Sequence, residues 1–385
     1  MQGGVGDYTR ELGLALRELG CRVGVLTATA GGPVPGLDVY PLVSRWSWSC
    51  WHAILDVVRR ERPDVVHVQY QAAAYGMQPA INLLPRRLRL LGAGRPRLAA
   101  TFHDLKVPYL FPKAGPVRRW IVNELARSSD LAIVTNRDDL EAMQRVLAAR
   151  SAVSAPALTL VPIGSNIAPV QPLLIDGRPY DRDAWRARWG AGPGDLLLSF
   201  FGFVNDRKGV DTLLRALRQL ADGPGPATNP RLLMIGGQTG SSDPTNVDYL
   251  ARIQALVAEL GLADRVRWTG FIPPEEVTAS FWAADLCVLP YRDGASLLHG
   301  TLHAALAHGV PIVTTRPRRP LPELVDGETV SLVPPEDPAA LAEGIARLAA
   351  DPRLRAALAE GACRLSEQFR WPKIAAETLA LYSGP

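Results

Sequence analysis

A chain of 385 residues is too long for one compact domain and comfortable for two, at roughly 100–200 residues each. With 47% hydrophobic, 21% charged and 7% aromatic residues, it is excluded from the disordered, collagenous and coiled-coil classes. The net charge of +4 conceals an asymmetry: residues 1–170 carry 20 Lys and Arg against 13 Asp and Glu, and the remainder 22 against 25.

The opening residues hold no apolar stretch, so no signal peptide is expected. Gly3-Gly4-Val5-Gly6 leads into a helical pattern over 6–20, followed by a strand at 22–27, a helix at 51–62 and a strand at 65–69. Between Asp64 and Asp104 there is no acid, while Arg86, Arg87, Arg89, Arg95 and Arg97 cluster there. Such a patch can face acidic lipid, nucleic acid or a phosphate-bearing substrate, or be a plain solvated surface. For the chain as a whole no nucleic-acid partner is expected. A strand at 98–102 ends in His103, helices follow at 116–128 and 137–149, and strands fall at 131–135 and 158–162.

Residues 163–194 break the rhythm with Gly164, Pro169, Pro172, Gly177, Pro179 and Gly192-Pro193-Gly194, and read as a linker. Within it, Asp181-Arg182-Asp183 fits a helix cap before Trp185 better than a metal-binding acid pair. The rhythm then resumes, with strands at 196–201, 231–235, 266–269, 286–289, 312–314 and 330–333. The helices between and after them fall near 209–221, 246–260, 297–308, 338–349 and 352–368. Alternation of this kind predicts parallel sheets covered by helices on both faces. The expected division is 1–165, a linker over 166–194, 195–369, and a final helix over 370–385. That helix sets Trp371, Ile374, Ala375, Thr378, Leu379 and Tyr382 on one face, which needs the first domain to bury against.

Ligands of open parallel sheets bind beyond the carboxyl ends of the strands. The junction from Arg292 through Asp293, Gly294, Ala295, Ser296, Leu297, Leu298, His299 and Gly300 to Thr301 leads from a strand into a helix. The amides and dipole of that helix start suit an anion. Gly3 and Gly4 form a second such junction. Lys208, one of only four lysines, follows a strand and precedes a helix, where it can neutralise a departing diphosphate, with Arg207 as its competitor. His103 at a strand end can donate a hydrogen bond to a bound sugar, or be a satisfied structural histidine. His299 and His303 have metal-ligand spacing but no third ligand, so neither a metal nor a cofactor is expected. Four widely spaced cysteines, Cys21, Cys50, Cys287 and Cys363, suggest a reducing compartment and a cytoplasmic protein.

Taken in order, several segments resemble one family. They are Gly3-Gly4-Val5-Gly6, Pro63-Asp64-Val65-Val66-His67, Thr101-Phe102-His103-Asp104, Phe201-Gly202 with Lys208-Gly209-Val210-Asp211, Gly270-Phe271-Ile272, and Ala307-His308-Gly309-Val310-Pro311. Together they are similar to the family 4 GT-B retaining glycosyltransferases (glycosyl transferases group 1). The resemblance implies two Rossmann-like doubly wound domains facing across a cleft, and a nucleotide-sugar donor used without metal. Gly3 and Gly4 would touch the donor diphosphate from one side, and Lys208 with the amides near Leu298, Gly300 and Thr301 from the other. The base would lie near Gly236 and along Phe271 and Ile272, and His103 would meet the donor sugar. Attack from the same face within a short-lived ion pair would need no dedicated base.

The chain departs from this family in three places. Its two usual glutamates are replaced by Ser296 and Ala304, with Asp293 near enough to deputise for the first, and a usual arginine is replaced by Phe203, leaving Arg207 or Arg292 to compensate. The family strand ahead of the glycine loop is missing, so a truncated start or an incomplete first sheet is expected. The acceptor is expected to be a glycan or lipid-linked saccharide. The residues from Leu105 to Lys113, with Arg118 and Arg119, would lie at its end of the first domain and suit peripheral contact with the inner face of a membrane. The alternatives are a nucleotide-sugar-binding protein that kept the fold and lost its carboxylates, and another GT-B enzyme such as an epimerase or phosphorylase.

Overall fold

The computed structural model describes residues 4–105, 115–148, 156–223, 229–237 and 244–383. It divides into two compact units, Met1–Asn166 with Arg370–Pro385, and Ile167–Phe369.

Among the described residues six parallel strands build the first unit: β1 Gly24–Ala28, β2 Asp38–Val43, β3 Val65–Tyr70, β4 Arg97–Phe102, β5 Leu131–Val134 and β6 Ala157–Leu160. They fall into a pair, β1-β2, and a set of four, β3-β4-β5-β6, with no ladder between β1 and β3 among the described residues. The sequence reading passed over β2 because Pro41 lies within it. As an edge strand paired only to β1, it tolerates a residue with no N–H to donate.

Side chains alternate across the set of four. Leu98, Ala100, Phe102, Ala132 and Val134 enter a core with Ile54, Leu55 and Val58 of the helix Cys50–Glu61. Ala99, Leu131 and Ile133 enter another, closed by Tyr8, Leu12 and Leu16 of the helix Gly4–Glu18 and by Trp371, Ile374 and Ala375 of the helix Trp371–Ser383. Trp371 lies flat against Gly164, where an added Cβ would come within 2.7 Å of its ring, and its indole N–H donates to Ser165 O at 2.7 Å.

The second unit begins with a two-residue hairpin, β7 Leu174–Ile175 and β8 Arg178–Pro179. Its sheet comprises β9 Leu196–Phe201, β10 Pro230–Ile235, β11 Val266–Trp268, β12 Leu286–Leu289, β13 Ile312–Thr315 and β14 Ser331–Val333. All are parallel in the order β11-β10-β9-β12-β13-β14, so chain progression reverses between β9 and β12. A doubly wound sheet opens its ligand crevice at such a reversal. The helix Pro274–Ala283, missed in the sequence behind Pro273-Pro274, starts with proline at a position where the lost N–H would have had no helical partner.

Residues 167–194 belong to this second unit and are not a free linker. Their glycines and prolines make turns around the helix Arg182–Arg188, which buries Trp185 and Arg186. The Arg186 guanidinium donates to the carbonyls of Ala283 (2.8 Å), Gly192 (3.2 Å) and Asp195 (2.6 Å), and to the Asp285 carboxylate at 3.1 Å. Asp181 caps the helix, accepting from the amides of Asp183 (2.9 Å) and Ala184 (3.1 Å). Asp181→Ala is expected to cost about 1 kcal/mol in a urea melt of the second unit, the usual worth of such a cap.

All four cysteines are unpaired. Among the described residues no helix is long and apolar enough to cross a membrane.

Candidate functional site

The loops after β9 and β12 leave the sheet on either side of its reversal. After β9, Gly202 takes φ +109 and donates its amide to Ile235 O at 2.9 Å. Asp206–Lys208 make one 3₁₀ turn, and Gly209, at φ +62, starts the helix Val210–Asp222. Gly209 packs so tightly on the Pro290 carbonyl that no Cβ fits, which ties the lysine loop to the end of β12. The Lys208 side chain then folds back over the sheet. Its ammonium lies 5.8 Å from the centre of the Phe200 ring, and so near Gly202 that a Cβ there would sit 2.5 Å from Nζ and 2.7 Å from Thr301 Cγ2. No carboxylate pairs with Lys208 among the described residues, and burial pulls its ammonium down to about 8.

After β12, Tyr291 is buried and its hydroxyl shares a 2.7 Å hydrogen bond with Thr301 Oγ1. His299 stacks on the Tyr291 ring at 3.9 Å, and its Nδ1 is buried without a partner among the described residues. Burial, then the nearby Lys208, lowers the His299 pKa to about 4, so the ring is neutral at physiological pH. The helix expected from 297 begins only at Gly300, because Ser296 first closes a turn: its Oγ accepts from Leu298 N at 3.2 Å and its carbonyl from His299 N at 3.0 Å. Gly202, Lys208, Tyr291, His299, Gly300 and Thr301 therefore form one wall with a cation, a hydroxyl pair and a helix start.

The other expected site residues have varied surroundings. Asp293 is exposed and ion-paired with Arg318 at 2.6 Å. Arg292 is held by Asp211 (2.7 Å), Glu336 (3.4 Å) and Asp206 (3.6 Å). Arg207 is exposed and makes no ion pair among the described residues. Ala304 is buried in the apolar core. His303 points back to Leu297 O at 2.7 Å and meets the Phe369 ring edge-on at 4.5 Å, which makes it a core side chain. Among the described residues no three His, Cys, Asp or Glu side chains gather closely enough to hold a metal ion. Gly236, at φ +110, bridges to Gly270 and donates to Thr269 Oγ1 at 3.1 Å. Leu298 is exposed, Ile272 packs against the core, and Phe271 is 82% exposed. Phe203 is also exposed, with its ring against Gly237.

In the first unit Gly4 opens its helix, where an added Cβ would meet nothing within 4 Å among the described residues, and Gly3 lies outside the described residues. So do residues 106–114 of the expected acceptor loop. His103 donates from Nε2 to Gln69 Oε1 at 3.0 Å and receives the edge of Tyr8 at 4.6 Å; burial lowers its pKa to about 4. The arginine cluster is largely committed within the unit: Arg86 to Glu124 (2.8 Å), Arg89 to Ser128 O (3.0 Å), Arg95 to Asp130 (2.6 Å) and Arg97 to Tyr382 O (3.0 Å). Four of the five arginines of the basic patch are thus bonded within the unit, while Arg86 and Arg89 stay exposed.

Sequence reasoning missed Tyr291, Gln69 and any side-chain part for His299. The only sequence signal for Gln69 was its spacing of two from His67, which sets both on one face of β3.

The family described as "Glycosyl transferases group 1" matches residues 195–351, and the "Glycosyl transferase 4-like domain" matches 3–164. The D-inositol 3-phosphate glycosyltransferase of Corynebacterium efficiens is 28% identical over 267 residues, 69% of this chain and 59% of that protein. Its counterpart from Streptomyces avermitilis is 34% identical over 212 residues, 54% of this chain and 44% of that one. The chain thus spans about half the length of the curated relatives it matches. Among solved structures, sucrose-phosphate synthase from Thermosynechococcus elongatus has a TM-score of 0.70 at 24% identity, covering 99% of this chain and 93% of that one. Anabaena HepE in complex with UDP and glucose has a TM-score of 0.69 at 19% identity, covering 99% and 96%. With the reversed parallel sheet and both halves matched, the chain belongs to the family 4 GT-B glycosyltransferases, group 1.

Proposed function

We propose that the chain is a retaining glycosyltransferase that moves a sugar from a nucleotide-diphosphate donor onto a hydroxyl of a glycan or lipid-linked saccharide, without a metal. The observation that carries this reading is the Lys208 ammonium, unpaired by any described carboxylate, beside Thr301 and the start of the helix Gly300–Ala307 at the reversal of the sheet. A charge desolvated without a protein counter-ion is poised for an anionic ligand. As the sugar C1–O bond breaks, the electron pair stays on the diphosphate oxygen, where Lys208, Arg207 and the helix-start amides stabilise it. The acceptor oxygen bonds to C1 on the face being vacated, and its proton passes to the departing phosphate.

A second reading, a nucleotide-sugar-binding protein without turnover, is favoured by Ala304 and Phe203 standing where the family has an acid and a cation. A thermal-shift and hydrolysis screen of UDP-, GDP- and ADP-sugars in EDTA separates the two. Acceptors in the screen include the inositol phosphate named for the relatives. Stabilisation with slow hydrolysis, and an α-linked product from an α-linked donor, is expected. Stabilisation with no turnover supports the second reading, and no stabilisation by any donor contradicts both.

A further inference from the structure

A row of hydrogen bonds runs through the first unit from the C-terminal helix to His103. Alternation on β3 sends Val66, Val68 and Tyr70 to one core and leaves His67 and Gln69 on the face covered by the helices Gly4–Glu18 and Trp371–Ser383. Gln69 is the register partner of Thr101 on β4, and His103 lies two residues further on the same face. Tyr382 Oη lies 2.5 Å from His67 Nδ1, Thr101 Oγ1 lies 2.7 Å from His67 Nε2, and the Gln69 amide nitrogen lies 3.3 Å from the same Nε2. The Gln69 amide oxygen meets His103 Nε2 at 3.0 Å. Tyr8 and Trp371, edge to face at 5.0 Å, and Tyr8 against His103 fix the ring plane.

The donors and acceptors in this row constrain one another. A carboxamide oxygen only accepts, so His103 donates from Nε2. The Gln69 N–H and the Thr101 hydroxyl donate to His67 Nε2, so His67 carries its proton on Nδ1 and gives it to Tyr382. Burial keeps both rings neutral, His103 at about 4 and His67 at about 3. His103 Nδ1 then bears a lone pair, and it makes no hydrogen bond among the described residues.

We propose that Gln69 is a positioning residue for His103. Anchored by His67 and, through it, by Tyr382, its amide oxygen holds His103 as the Nε2–H tautomer and leaves Nδ1 as a bare acceptor for a hydroxyl of the donor sugar. The sugar contact rests on the transferase reading above; the tautomer does not. Gln69 is thereby a determinant of sugar recognition, because the ring accepts a hydroxyl proton and rejects a sugar presenting only an acceptor at that point.

The test is ¹⁵N NMR of the histidine rings in the full chain, with and without the near-isosteric Gln69→Met, together with donor hydrolysis. Wild-type His103 is expected as the Nε2–H tautomer. In Gln69→Met it should become a mixture, with kcat/KM for the donor down about fivefold from the loss of one neutral hydrogen bond. A wild-type ring protonated on Nδ1 would mean that the amide points the other way, and it overturns the proposal. So does a Gln69→Met protein whose tautomer and turnover are both unchanged. The wild-type spectrum needs no donor and no variant. It therefore decides the tautomer even if Gln69→Met fails to fold, or if no donor is turned over and the transferase reading falls.

Discussion

Lys208→Ala is expected to weaken binding of a nucleoside diphosphate about 10- to 100-fold in calorimetric titration, the range for losing a charge-assisted hydrogen bond. The site leaves this ammonium desolvated and unpaired among the described residues, with Gly202 and Thr301 against it and its own loop fastened to Pro290. Its pH dependence has a definite sign. Burial lowers the folded pKa to about 8 from the ordinary lysine value, so the ammonium is fully present below that pH and is lost above it. Wild-type affinity should therefore fall towards that of the variant as the pH rises from 8, while the variant stays flat. The unliganded chain should shift the opposite way. Above pH 8 the unfolded state holds the lysine proton longer than the folded state, so stability rises with pH until the unfolded lysine also titrates. A variant that binds diphosphate as tightly as wild type would remove Lys208 from the site.

Trp371→Ala is expected to cost about 3–5 kcal/mol, the range for emptying a buried indole site, and to expose the first unit to earlier unfolding in urea. Three contacts make the position hard to refill. Gly164 lies against the ring face, Ser165 O accepts the indole N–H at 2.7 Å, and Tyr8 meets it edge-on at 5.0 Å. The helix Gly4–Glu18 and the helix Trp371–Ser383 share that core, so loss of the indole should also raise hydrogen exchange along Gly4–Glu18. A loss below about 1 kcal/mol would mean that the C-terminal helix contributes little to the first unit.

The sheets were legible because parallel strands are buried on both faces and read as short apolar runs. Leu196–Phe201 and Leu286–Leu289 match their expected bounds. Elements broken by proline were not: β2 carries Pro41 at an edge, and the helix Pro274–Ala283 hides behind two prolines. The turn-rich segment 163–194 looked like a linker because glycine and proline mark turns whether or not the chain between them is packed, and the burial of Trp185 and Arg186 is a tertiary fact. Within the site, Lys208 stood out as a rare residue at a strand end. The commitment of Arg292 to Asp211, and of Asp293 to Arg318, depends on neighbours distant in sequence and left no local pattern. The same holds for the arginines of 86–97, whose acidic and carbonyl partners lie at 124–130 and at Tyr382.

The central claim is that a half-buried lysine and a helix start hold the donor diphosphate without a cation between them. Its most direct test is a crystal structure of the chain grown with a nucleoside diphosphate in EDTA. The diphosphate is predicted within hydrogen-bond reach of Lys208 Nζ and the amides at the start of the helix Gly300–Ala307. Density elsewhere, or density at that place only when magnesium is supplied, would contradict the account.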